Sequence, residues 1–240
     1  MIDIHAHIIP AVDDGSTSME STIGMLCDAV GQGADTFFAT PHSEAFLTLG
    51  KEVERRFDNM KLRLGRLFST VEVYLGCEVL CNTENMEEVT EALRTGRIPT
   101  MNRTEYVLVE FSKETDWETV RFCVTKLRQQ NLIPIIAHLE RYDALQNRMD
   151  AVNWLREQGC GIQLNVYSLE STRPEAGRDW ARRLILEEKV DFLGTDMHGI
   201  GVRMPSISQG MLWLEENCED AYLDAIVWEN AREKLLKQGR

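Results

Sequence analysis

Two histidines separated by one residue, His5 and His7 in MIDIHAHIIPAVDDG, open a chain with only five histidines among its 240 residues. If Ile2–His7 is extended, alternate side chains share a face, and the two imidazoles form a chelating pair. The other three histidines are His42 in ATPH, His138 in IPIIAH and His198 in GTDMH. Carboxylates stand in similar places: Asp14 in AVDDG, Glu78 in LGCE, Glu110 in YVLVEFS and Asp196 in GTDMH. Each has an ordinary structural account by itself, since D-D-G is turn chemistry and a glutamate at a strand end can cap a helix. Their joint placement points to metal chemistry. Imidazole with carboxylate suits zinc, manganese or iron, and the lack of thiolates among these residues argues against a structural cysteine-type zinc site.

Nine such ligands are too many for one ion and fit two or three. Four carboxylates packed together would repel and raise one another's pKa. Three divalent cations would reverse the sign and leave two positive charges in excess, which suits a phosphate dianion. Divalent cations also bring the pKa of water towards neutrality, the usual route to hydrolysis without a covalent intermediate.

The elements that must position these residues are legible as alternating apolar strands and amphipathic helices. Strands are expected at Ile2–His5, Thr36–Thr40, Val71–Gly76, Tyr106–Glu110, Ile133–Ala137, Gly161–Leu164 and Phe192–Gly194. Helical spacing runs through Glu20–Val30, Val53–Phe68, Met86–Leu93, Trp117–Gln130, Ala151–Gln158 and Trp180–Glu187. Gly33, Asn131 and Gly159 read as helix stops. Seven βα units without a break in composition predict one domain over residues 1–240, a closed or nearly closed parallel barrel; a doubly wound sheet is the alternative. All five histidines then fall at or just after C-terminal strand ends, which converge on one rim of a barrel. Asn102–Glu105 and Ser168–Gly177 read as surface loops, and the long Asp196–Ser208 stretch could lie over the site.

Composition narrows the function. A net charge of −13 argues against a general nucleic-acid binder. Six cysteines without a C-x-x-C pair, mostly within apolar runs, predict reduced, buried thiols. A strand beginning at residue 2 leaves no room for a signal peptide, and no apolar run approaches a membrane span, so a cytoplasmic protein without membrane insertion is expected. No cysteine is followed six positions later by arginine. D-x-D-x-T and G-x-x-x-x-G-K-[ST] are also absent, so the covalent phosphatase and P-loop routes have no support.

The ordered series H-x-H, D-D-G, T-P-H, G-x-E, V-E-F-S, I-A-H-L-E-R-Y and D-M-H resembles the polymerase-and-histidinol-phosphatase (PHP) superfamily. Within it, MIDIHAHIIPAVDDG, YVLVEFS, PIIAHLERYDAL and TDMHG are most similar to bacterial manganese-dependent protein tyrosine phosphatases of capsule and exopolysaccharide operons. The resemblance runs from Met1 to about Pro205. It implies an α/β fold, a distorted (β/α)7 TIM-like barrel, with three metal ions. The first ion takes His5, His7, Glu78 and Asp196; Glu78 bridges to a second held also by Glu110 and His138; Asp14, His42 and His198 hold the third. Manganese is the expected metal, with iron or zinc as alternatives. Arg141 and Arg203 match arginines that grip substrate phosphate.

The implied activity is hydrolysis of phosphotyrosine on a protein, with a bacterial tyrosine kinase as the expected partner. A small-molecule phosphatase such as histidinol-phosphate phosphatase is the nearest alternative. A barrel deoxyribonuclease and a kinase-binding regulator with a structural metal site are further ones. One departure concerns Ser43 and Glu44, which follow His42 where the family often has basic residues or further histidine. A carboxylate there is expected to disfavour an acidic phosphopeptide.

Overall fold

The computed structural model describes residues 1–201 and 203–237. Its strands are all parallel: β1 (Ile2–Ala6), β2 (Thr36–Ala39) and β3 (Glu72–Leu75) form one run, and β4 (Glu78–Leu80), β5 (Tyr106–Glu110), β6 (Ile133–Ile136), β7 (Gly161–Asn165) and β8 (Phe192–Gly194) form the other. β1, β2, β7 and β8 are buried along their whole length, as strands covered on both faces must be.

Two seams join the runs into a distorted barrel. At one, Asp196 N donates to His5 O at 2.8 Å and His7 N to Met197 O at 3.0 Å. At the other, Glu78 N donates to Pro41 O at 3.1 Å and His42 bridges to Glu78. Both seams therefore close at predicted site residues. The expected third strand is split in two, because the chain steps at Gly76–Cys77 from its pairing with β2 to pairing with β5. Gly76 is required there: a Cβ would lie 2.6 Å from Met101 Sδ and 3.1 Å from Thr40 Cγ2.

The helices cover the outside. They are α1 (Met19–Gly31), α2 (Ser43–Leu49), α3 (Lys51–Leu67), α4 (Met86–Arg94), α5 (Trp117–Gln129), α6 (Met149–Glu157), α7 (Glu175–Leu186) and α8 (Ser208–Asn217). The apolar stripe of α5, for example, buries Val120, Cys123, Val124 and Leu127, the i, i+3, i+4, i+7 pattern of a core-facing helix. Gly33, Asn131 and Gly159 do end helices in the left-handed region, at φ of 96°, 60° and 77°.

Inside the barrel, Ile2, Ile4, Phe38, Leu108, Ile135 and Phe192 form a separate core. Ala231 and Leu235 pack into it from a final helical stretch over 220–236, which turns π-helical at Ala225–Glu229 and again at Arg232–Leu236. One end of the barrel is thus filled with apolar side chains, and the opposite rim carries the polar cluster.

Three expectations need correction. Ser168–Gly177 is not simply a surface loop: Val166–Leu169 is a 3-10 turn with Val166, Ser168 and Leu169 buried, and α7 begins at Glu175, five residues before the expected start at Trp180. Asn102–Glu105 overlaps a 3-10 turn at Met101–Arg103, with Asn102 and Arg103 at positive φ. All six cysteines are free, but Cys27 is exposed and Cys218 half-buried. No helix among the described residues is long and apolar enough to cross a membrane.

Candidate metal centre

Every predicted site residue comes to one rim, most of them from strand ends, but Glu78 opens β4 rather than ending a strand, and Asp14 and Arg203 come from loops. His5 lies within β1, whose register against β2 shifts between Asp3 and Ala6, the kind of irregularity that re-aims side chains beside a site. His138 and Asp196 follow β6 and β8 in the left-handed region, at φ of 32° and 52°. Non-glycine residues occupy that region at a conformational cost, which the surrounding hydrogen bonds offset here.

Nine residues fall into four overlapping groups whose donor atoms lie within 4.8 Å of one another. They are His7–Asp14–His42–His198, His5–His7–Asp196, His5–Glu78–His138 and His42–Glu78–Glu110. Glu78 lies at the centre. Its carboxylate is 3.2 Å from His5 Nε2, 3.1 Å from His7 Nε2, 3.2 Å from His42 Nδ1 and 2.9 Å from His138 Nε2. The sets that the resemblance implies are largely gathered, with one difference. Glu110 groups with His42, whose Nδ1 lies 2.9 Å from its Oε1, while His138 groups with His5.

The imidazole tautomers follow from their outward partners. His7 Nδ1 is 2.8 Å from Asp13 Oδ2, His5 Nδ1 is 3.2 Å from Gln163 Oε1, and His198 Nδ1 is 2.8 Å from the Asp196 carbonyl. All three partners are acceptors, so in each neutral imidazole Nδ1 carries the hydrogen and the Nε2 lone pair faces the cluster, open to a proton or a cation. His5 Nε2 and His7 Nε2 consequently confront each other at 3.3 Å. His198 Nε2 is buried with no hydrogen-bond partner among the described residues. Converging lone pairs with carboxylates around them are a donor set for divalent cations, and the residues fit such ions.

Without a cation, protons occupy several of these sites instead. Burial opposes charge on His7, yet hydrogen bonds with Asp13 and Glu78 carry its pKa well above the usual imidazole range. Burial likewise opposes charge on His42, but the hydrogen bond to Glu110 lifts it to about 9. Burial would raise the Glu78 carboxyl, but the His5 charge and the bonds from His138, His5 and His7 hold it well below the carboxylate norm. Burial and the neighbouring His7 push His198 down to about 4, so it stays neutral at pH 7. Protons and divalent cations compete for the same lone pairs in such a cluster.

Several supporting residues escaped the sequence reading. Asp13 orients His7 and accepts from His42 N at 3.2 Å and Gly15 N at 3.0 Å, so the first carboxylate of D-D-G braces the loop that carries Asp14. A Cβ on Gly15 would sit 2.4 Å from His7 Cβ, which explains the third letter of that motif. Gln163 Oε1 also accepts from His138 N at 2.8 Å, and Gln163 Nε2 donates to Asn165 Oδ1 at 2.9 Å. Asn165 Nδ2 in turn donates to Asp196 Oδ2 at 3.2 Å. The polar alternation within GIQLN, in an otherwise apolar strand, was the available signal. Asp3 accepts from Thr195 N at 2.9 Å, Thr195 Oγ1 at 2.6 Å and His5 N at 3.1 Å, pinning the β1–β8 seam beneath the cluster.

A pocket opens over the cluster, lined by Phe111, Lys113, Arg141, Tyr142 and Arg203 together with the acidic and imidazole groups. Arg141 donates to Asp196 Oδ2 at 2.9 Å. Arg203 donates to Asp14 Oδ2 at 3.1 Å, and its carbonyl accepts from His198 N at 3.0 Å. The Asp196–Ser208 stretch therefore does reach the site. Glu44 is exposed at the start of α2 and does not line this pocket.

Residues 1–237 match the family described as capsular polysaccharide synthesis, CpsB/CapC. The chain belongs to the CpsB/CapC family. Among its relatives is the tyrosine-protein phosphatase CpsB of Streptococcus agalactiae serotype V, 29% identical over 216 residues that span 87% of each chain. The tyrosine-protein phosphatase YwqE of Bacillus subtilis is 28% identical over 240 residues, 99% of this chain and 92% of the relative. In three dimensions this CpsB/CapC chain superimposes with a TM-score of 0.83 and 27% identity on a crystal structure from work on YwqE and Streptococcus pneumoniae CpsB. Those two are described as unique metal-dependent tyrosine phosphatases, and the match covers 100% of this chain and 96% of the other.

Proposed function

We propose that the chain is a metal-dependent protein tyrosine phosphatase. The observation that carries the metal reading is the convergence of His5, His7 and His198 lone pairs on a cluster of buried carboxylates. His5, His7, Glu78 and Asp196 would hold one divalent cation, Glu78 with Glu110 and His138 a second, and Asp14, His42 and His198 a third. Two or three manganese ions are the expected complement. Such ions supply Lewis acidity toward phosphoryl oxygens and bring water within reach of deprotonation near neutral pH.

The chain's own residues do the rest. Arg141 and Arg203 stand at the pocket with planar forks that suit phosphoryl oxygens and stabilise charge that grows on them during transfer. Phe111 and Tyr142, in edge contact with ring centroids 5.7 Å apart, give the pocket wall an apolar surface for an aryl group. A tyrosine leaving group, with a pKa near 10, asks less of a general acid than an aliphatic alcohol does. The family's role in capsular polysaccharide synthesis and the names of its relatives support a bacterial tyrosine kinase of polysaccharide export as the physiological substrate. Six free thiols favour a cytoplasmic site of action for a single catalytic domain spanning 1–240.

The test is a parallel assay, with manganese supplied, on a phosphotyrosine peptide, histidinol phosphate and DNA. The peptide is expected to be hydrolysed with a kcat/KM on the order of 100-fold above histidinol phosphate, and DNA not at all. Faster turnover of histidinol phosphate would overturn the protein-phosphatase assignment. In the same assay, Arg141→Lys and Arg203→Lys keep charge but lose the bidentate fork. Each is expected to lower kcat/KM on the peptide about 10-fold, or about 1.4 kcal/mol, with metal content unchanged. Wild-type kinetics in both would leave phosphate recognition to the cations alone.

A further inference from the structure

A second groove adjoins the catalytic pocket and shares Lys113 and Arg141 with it. Its volume is about 380 Å3, against about 90 Å3 for the pocket itself, so it can take chain that flanks the residue in the pocket. Its lining adds Arg173 and Arg178 to the two shared cations, with Glu140 and Asp143 as the acidic members. On a protein of net charge −13, this concentration of cations beside the site is a local reversal of sign.

We infer that this groove binds acidic side chains, Asp or Glu, that flank the phosphotyrosine in the substrate polypeptide. This rests on the phosphatase reading for the occupant of the adjoining pocket. Arg173 is the best-prepared contact. Its guanidinium lies over the Tyr167 ring, 4.4 Å from the centroid, which fixes the plane of the fork before a carboxylate arrives. Tyr167 Oη accepts from Asn165 Nδ2 at 3.2 Å, and the same amide donates to Asp196 Oδ2. One amide therefore ties the groove's aromatic wall to the cluster and sets the spacing between the two.

Two of these cations, Arg173 and Lys113, have only weak competitors in place. Arg173 Nε is 3.7 Å from Glu170 Oε2 and Lys113 Nζ is 3.7 Å from Asp143 Oδ1, both beyond hydrogen-bond range. Pairs this long contribute little and exchange readily for another carboxylate. Arg178 is held more firmly: its Nε and Nη2 donate to Asp179 Oδ1 at 3.1 Å and its Nη1 to the Ser171 carbonyl at 3.3 Å, so an incoming carboxylate must share or displace these bonds. Pro174 and Gly177 bring the first turn of α7 to the groove, where the unpaired backbone N–H groups add positive potential. Glu44 does not line the groove, so the carboxylate expected to repel acidic substrates is not positioned there to do so.

The experiment measures, by fluorescence anisotropy, the binding of two labelled phosphotyrosine peptides of equal length. One has Asp and Glu flanking the phosphotyrosine, the other Ser and Gly. The wild-type protein is expected to bind the acidic peptide on the order of 10-fold more tightly at low salt, with the contrast shrinking as salt rises. Arg173→Glu and, separately, Arg178→Glu should each reduce that ratio, and the double variant should bring it close to one. Circular dichroism identifies any variant that fails to fold, and Arg178, which lacks the stacking contact with Tyr167, keeps the test decisive if Arg173→Glu does fail. Equal binding of both peptides by the wild type, or an undiminished ratio in folded variants, would overturn the inference. Wild-type turnover of p-nitrophenyl phosphate reads the phosphatase assignment separately. If that is absent while the anisotropy contrast persists, the catalytic reading fails and the groove stands.

Discussion

Replacing Asp196 with alanine is expected to lower phosphatase kcat/KM by roughly 10^3-fold or more, equivalent to about 4 kcal/mol of transition-state stabilisation. Asp196 Oδ1 lies 3.6 Å from His5 Nε2, 3.7 Å from His7 Nε2 and 3.4 Å from His198 Nδ1. Its Oδ2 accepts from Arg141 and Asn165. Truncation removes a carboxylate from the proposed first metal position and releases Arg141 from its only side-chain hydrogen bond among the described residues. The fold should survive, because the apolar core inside the barrel is formed by other residues. Far-UV circular dichroism should be unchanged while metal content falls. Thermal stability should drop modestly, since an ion that binds only the native state stabilises it. His138→Ala is expected to behave in the same way. Near wild-type turnover in either variant at saturating metal would contradict the ligand assignment.

Asp13→Asn is expected to cost 10- to 100-fold in metal affinity or activity, the usual range for a group that orients a ligand. Asp13 Oδ2 receives two donors, His7 Nδ1 and His42 N, and Oδ1 receives Gly15 N. An asparagine amide has a single oxygen. Whichever way it turns, an NH2 group faces at least one donor, and turned toward His7 it favours the tautomer whose Nε2 bears the hydrogen. That tautomer removes a lone pair from the cluster. Metal titration followed by elemental analysis measures the effect. Wild-type affinity would mean that the orientation of His7 is fixed without Asp13.

Much of this was legible because metal ligands interrupt a pattern. Histidine and carboxylate at the ends of apolar strands stand out against their neighbours, and parallel topology sends all such ends to one rim. The residues that hold the ligands were harder to see. Asp13 looks like turn chemistry and does form a turn, with its second function apparent only when His7 is folded back beside it. Gln163 and Asn165 sit in a strand without histidine, where the polar alternation of GIQLN is the one mark of a site and a weaker one than a histidine. Among the elements, α2 is short and follows His42 directly, and α8 buries only Gly210 and Leu214, too few positions to produce a helical stripe. At the break between β3 and β4, a Cβ on Gly76 would crowd Met101 and Thr40, tertiary neighbours with no local signature in the sequence. The grouping of Glu110 with His42 likewise depends on how the two sheet runs meet at the β2–β4 seam.

The clustered imidazoles and carboxylates are expected to form a multinuclear metal site. It is tested most directly by anomalous diffraction from crystals of protein purified without chelator and supplied with manganese. At least two anomalous peaks are expected at the rim, with Glu78 as a ligand shared between them. A well-ordered crystal grown at full metal supply, with no anomalous density among His5, His7, Glu78, His138 and Asp196, would rule out a metal site there.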